Sequence, residues 1–111
     1  MNAAEPPERP LAPGKAVVHV DADFEALIPK FMVNRRGEVQ AMREALSRQD
    51  FESLCKIAHG MKGTGGSYGF DDLTTMAATL EQAAKVKDLA TVTQTLNAIA
   101  TYLESVEVVY D

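Results

Sequence analysis

The sequence predicts an all-α protein: an antiparallel up-and-down four-helix bundle behind a disordered, proline-rich N-terminal leader. Three observations carry that expectation. Apolar residues recur at three- and four-residue spacing in successive stretches, which is the mark of amphipathic helices. The connections between those stretches are short, so consecutive helices should be antiparallel neighbours. Finally, Pro6, Pro7, Pro10 and Pro13, four of the five prolines, crowd into a start that has no such period.

Residues 1–20 read as a flexible leader or linker, and residues 21–111 as the bundle. Ala16 to Val20 (AVVHV) looks extended but is too short to establish a strand. Asp21 or Asp23 can then cap a helical stretch in which Phe24, Leu27, Ile28 and Phe31 share a face. Pro29 should kink or split it, because proline removes a helical hydrogen bond. Val39, Met42 and Leu46 continue the stripe to Arg48, with Asn34 to Gly37 as a polar, bent joint.

Asp50 is the expected N-cap of a helix that begins at Phe51 and buries Phe51, Leu54, Ala58 and Met61. After a break at Tyr68-Gly69, Asp71 caps a third helix with Leu73, Met76, Ala77, Leu80 and Ala84 on one side. Glu81 reads as a surface residue of that helix. Val86-Lys87 connects to a last helix opened by Asp88, with Leu89, Val92, Leu96, Ile99, Leu103 and Val106 as its stripe. Phe24, Phe31 and Phe51 are expected in the core.

Composition narrows the function. A chain of 111 residues that is 46% hydrophobic suits one compact core. Its single cysteine, Cys55, cannot close an internal disulfide, which points to a reducing, cytoplasmic setting. No apolar run approaches the ~20 residues that span a bilayer, so no membrane insertion is expected. The net charge of −5 falls entirely on residues 21–111 and argues against nucleic-acid binding, which needs clustered positive charge. His19 and His59 with one cysteine do not make up the three or four ligands of a zinc site, so no metal is expected.

The segment Ile57 to Phe70, IAHGMKGTGGSYGF, holds five of the seven glycines. If the second helix runs to about Ser67, four of them lie inside it, at a cost of ~4 kcal/mol relative to alanine. Helix geometry offers a reason. His59 points roughly 130° from the Leu54–Ala58–Met61 face, toward solvent. Gly63 lies one turn along beside it and Gly66 falls on the same side, leaving bare backbone that another protein can approach. Lys62 is a surface neighbour three residues on, and Lys56 is a solvated charge that can help to dock an acidic partner. An exposed imidazole is mostly unprotonated and nucleophilic at neutral pH. Phosphoryl transfer asks mainly for positioning and charge stabilisation. Lys62 could attract the phosphoryl oxygens. A nucleotide loop is excluded, because Lys62-Gly63-Thr64 reverses the required Gly-Lys-Thr order and no strand precedes it.

His59, Lys62, Gly63 and Gly69 resemble the H-x-x-K-G-x-x-x-x-x-G signature of histidine-containing phosphotransfer domains. LIPKFMVNRRGEV before the motif and SYGFDDLTTMAATLEQAA after it look like that family too, so the resemblance covers roughly Val20 to Val109. It implies a phosphorelay intermediate that accepts a phosphoryl group on His59 and exchanges it with the aspartate of a response-regulator receiver domain. The implied partners are a receiver, a hybrid sensor histidine kinase, or both. Gly69 is assigned to the turn. The resemblance also implies a monomeric carrier with no kinase activity and no cofactor of its own, magnesium coming from the receiver. The alternative is a helical module that binds a receiver or kinase without transfer.

Overall fold

The computed structural model describes residues 16–111, and the helical expectation holds for most of them. Four helices, α1 (Ile28–Ser47), α2 (Phe51–Ser67), α3 (Asp71–Lys85) and α4 (Leu89–Ser105), follow a short 3-10 helix at Ala22–Leu27. Helix α1 packs on α2 and α4, and α3 packs on the same two, closing a square bundle. Met42, Leu54, Ala58, Met61, Leu73, Ala77, Leu80, Val92, Leu96 and Ile99 are wholly inaccessible at its centre. Phe24 and Phe51, expected in the core, are only partly buried, and Leu89 is exposed.

Two short strands correct the boundary placed at residue 20. β1 (Val17–Val20) runs parallel to β2 (Glu107–Tyr110), with Val17 opposite Glu107 and Val20 opposite Tyr110. Alternation turns Val18 and Val20 into the core and leaves Val17 and His19 outside. Glu107 donates to the Ala16 carbonyl at 2.8 Å, and Ala22 donates to the Asp111 carbonyl at 3.1 Å. The pairing thus extends to both ends of the ladder. The rest of the expected leader, residues 1–15, lies outside the described residues.

Helix α1 is neither split nor jointed. Pro29 occupies its first turn, where a backbone N–H would have no helical partner, so it initiates the helix instead of breaking it. The polar residues of the expected joint clasp neighbouring helices. Arg35 donates to Thr64 Oγ1 of α2 at 2.9 Å, ion-pairs with Glu38, and stacks over Phe31 at 4.9 Å. Arg36 donates to the Leu103 carbonyl of α4 at 3.3 Å.

The three interhelical loops share one construction. Gln49 (φ 53°), Gly69 (φ 91°) and Lys87 (φ 58°) each adopt the left-handed region that reverses the chain. Asp50 then caps α2 by accepting from Ser53 N, and Asp88 caps α4 by accepting from Thr91 N. Hydrogen bonds from Ser53 and Thr91 hold these carboxyls below their ordinary pKa. Phe70, not Asp71, takes the cap position of α3, one residue before expectation.

If β1 belongs to the folded domain, Val20→Ala should lower the urea unfolding free energy by about 2 kcal/mol. Val17→Ala on the outer face should change it by less than about 0.5 kcal/mol. Equal, negligible effects would return residues 17–20 to the leader.

Candidate functional site

Helix α2 divides its glycines between two jobs. A Cβ at Gly60 or Gly63 would meet no atom within 4 Å, so these positions leave open backbone on the outer face. A Cβ at Gly65 would lie 2.9 Å from Thr74 Oγ1 and 3.4 Å from the Phe70 carbonyl. Gly65 is buried there, and its lack of a side chain lets α3 approach α2. Thr74 uses that closeness to donate to the Lys62 carbonyl at 3.2 Å. Gly66 is exposed, but its Cβ direction faces Thr74 Oγ1 at 3.6 Å. Gly69 makes the turn, as its φ requires.

His59 stands on the outer face with 69% of its side chain exposed. One nitrogen is engaged: Nδ1 lies 2.9 Å from Glu81 Oε2 on α3. The other carboxylate oxygen, Oε1, accepts from Lys62 Nζ at 2.8 Å. Lys85 Nζ approaches Oε2 at 3.9 Å, and 53% of its side chain is exposed. Glu81 itself is only 6% exposed, so one sunken carboxylate organises three cationic or potentially cationic side chains. This corrects the placement of Glu81 on the surface. It also shows Lys62 turned onto Glu81, where the sequence had it facing incoming phosphoryl oxygens.

The Lys62 ammonium holds the Glu81 carboxyl below its ordinary pKa, burial opposes it, and the hydrogen bond to His59 adds to the lowering. An ionised carboxylate can only accept, so Nδ1 carries the hydrogen and, in the neutral ring, Nε2 carries the lone pair. The ring is thereby fixed in orientation and tautomer, with Nε2 left as the nucleophilic nitrogen.

Lys56 extends from the turn before His59, 77% exposed, with Glu52 at 3.7 Å. Cys55 is partly buried, its Sγ 4.0 Å from the Glu81 carbonyl. His19 is remote from the site and pairs with Asp111 at 3.2 Å on the strands. Among the described residues, no cluster of three His, Cys, Asp or Glu side chains is placed to hold a metal. Nor is any helix there long and apolar enough to cross a membrane.

Sequence reasoning missed Glu81 and Arg35. The signal for Glu81 was present: it lies four residues after Ala77, on the same face as an inaccessible residue. Arg35 carried no comparable mark, since its burial depends on Thr64 and Phe31 being at hand.

With this geometry in view, the chain belongs to the Hpt domain family, whose model matches residues 26–108. The family works by histidine phosphotransfer in phosphorelay signalling, with receiver domains and kinases as its partners. Neither curated proteins nor solved structures returned a match to the chain.

The Glu81 contacts give a pH signature. Because its folded pKa is depressed, its contribution to stability is full above about pH 4.5 and is lost as pH falls through the folded value. Glu81→Gln should therefore destabilise the bundle at pH 7 by about 2 kcal/mol, the scale of hydrogen bonds to a charged group. Thermal melts of both proteins from pH 7 to 3 should converge at the acid end. A gap that stays constant would mean that ionisation of Glu81 is not what stabilises the fold.

Proposed function

We propose that the protein is a phosphorelay intermediate which carries a phosphoryl group on His59 Nε2 and exchanges it with the aspartate of a receiver domain. The observation that carries this reading is the pairing of an exposed imidazole with a sunken carboxylate at Nδ1, next to open backbone at Gly60 and Gly63.

Each part has a chemical consequence. In the forward step the Nε2 lone pair forms the N–P bond while the P–O bond of the acyl phosphate breaks, and the aspartate leaves with the electron pair. No proton need move. The ring becomes a phosphoimidazolium that keeps its Nδ1 hydrogen, and Glu81 accepts from that hydrogen more strongly as the ring gains charge. A carboxylate already in place does this without reorganisation, which is where preorganised electrostatics gains over water. Lys62 acts one step back, keeping Glu81 ionised and oriented. The acceptor aspartate and the magnesium ion come from the receiver, and kinase activity comes from another partner. Lys56 adds positive charge on the docking side, complementary to an acidic, metal-binding receiver site.

Gly63 serves access. The acyl phosphate must come in line with Nε2, and a side chain one turn from His59 would hold the receiver away.

His59→Gln should abolish acid-labile, alkali-stable labelling by a phosphorylated receiver while the helical circular dichroism spectrum is retained. A mutant that labels like wild type would place the nucleophile elsewhere. Retained binding with no labelling of either protein would favour the interaction module without transfer.

Gly63→Leu should leave the bundle as stable as wild type or more so, because leucine removes most of glycine's ~1 kcal/mol helix penalty at an open position. The same substitution should slow transfer at least about tenfold, given that ~1 Å of displacement can cost ~10²-fold in rate. Wild-type transfer would show that Gly63 is not needed for access.

A further inference from the structure

Two lysines approach Glu81, and their situations differ. Lys62 Nζ lies 2.8 Å from Oε1 with 35% of its side chain exposed, a short charge-assisted hydrogen bond. Lys85 Nζ lies 3.9 Å from Oε2, beyond hydrogen-bond range, with 53% exposed. That Oε2 is also the oxygen that takes the His59 Nδ1 hydrogen bond. Lys85 and the imidazole thus flank one atom, while Lys62 occupies the far side of the carboxylate.

A phosphoryl group on His59 brings up to two negative charges to the α2–α3 seam. A cation that moves to meet them must leave whatever it now holds. If Lys62 moved, Glu81 would lose its shortest compensating contact while remaining only 6% exposed, and uncovering a buried charge is strongly unfavourable. If Lys85 moved, it would give up a contact too long to be a hydrogen bond. Its flexible stem starts from the last residue of α3, so the ammonium can swing without disturbing the helix. Lys56 is also exposed, but its recorded partner is Glu52, one turn further from His59.

From this asymmetry we infer that Lys85 is the catalytic cation of the site, meeting the phosphoryl oxygens on His59 Nε2, while Lys62 stays on Glu81 as a positioning residue. The assignment rests on the proposal that His59 is the phosphoryl carrier. The transfer step is unchanged: the N–P bond forms as the donor's bond to phosphorus breaks, and Lys85 contributes charge and hydrogen bonds without giving up a proton.

The test uses potassium phosphoramidate as phosphodonor, so that no receiver is needed, with phosphorus-31 NMR of wild type, Lys85→Ala, Lys85→Arg, Lys62→Gln and His59→Gln. A nearby ammonium favours the dianionic phosphoryl group and so lowers the pH at which its resonance titrates. Lys85→Ala should raise that pH by about half a unit or more, the effect of one charge about 5 Å away in a medium close to water. Lys85→Arg should restore it. Lys62→Gln should leave it in place while lowering the melting temperature. A titration that shifts in Lys62→Gln and not in Lys85→Ala overturns the assignment, as does one that shifts in neither. If His59→Gln labels as wild type does, it is the underlying reading of His59 that fails, and the two failures are distinguishable.

Discussion

The close approach of α2 and α3 at Gly65 is the constraint from which the site is built. The Cβ missing there would have met Thr74 Oγ1 at 2.9 Å, so any side chain would force the helices to shift. With the side chain absent, Thr74 bonds the Lys62 carbonyl, and one α3 residue can reach two α2 side chains on successive turns. Glu81 spans from His59 to Lys62 because its two oxygens point at residues three apart on a helix that close. A wider seam would put water between the carboxylate and the imidazole, and the tautomer would no longer be chosen by the protein.

The site therefore combines rigidity and openness along one helix. Toward α3, glycine removes a side chain so that packing can tighten; toward solvent, glycine removes a side chain so that nothing packs at all. His59 sits where the two regimes meet. Its Nδ1 belongs to the ordered interior network and its Nε2 to the exposed surface. Arg35 performs a related service on the opposite seam, where its bond to Thr64 ties α2 to α1 one turn beyond His59. The proposed phosphoryl acceptor is thus mounted on a helix braced from both sides.

The helices were legible in the sequence because each buries one stripe, and a 3.6-residue period is visible without knowledge of the partner. His59 was legible for a different reason: glycines persist through a helical stripe at a cost that asks for an explanation, and Gly60 and Gly63 supply one on the outer face, although Gly65 serves packing instead. What could not be read depended on partners distant in sequence. The polar run Asn34 to Gly37 resembles a joint until Arg35 and Arg36 are seen to reach α2 and α4. Glu81 resembles a solvated charge until His59 and Lys62 are set beside it. The strand Val17–Val20 has four residues and no local turn to a partner, since that partner is the other end of the chain. Pro29 was misread on narrower grounds, because its effect depends on where the helix starts, and boundaries are the least certain part of any periodicity.

That parallel ladder has a consequence for the order of assembly. His19 and Asp111 are 92 residues apart in sequence, whereas each helix meets the next across a loop of a few residues. Loop-closure entropy rises with the length enclosed, and contacts of large separation form late unless something has already brought them together. Here the bundle does so: once α1 and α4 are packed, the residues on either side of them are neighbours and the ladder closes over a short remaining distance. The helices can therefore nucleate as local hairpins, and the strands act as a latch that registers completion. The same latch should be the first part to open under native conditions, with amide exchange at Val18 and Val109, whose N–H groups face the opposite strand, faster than in the helical core.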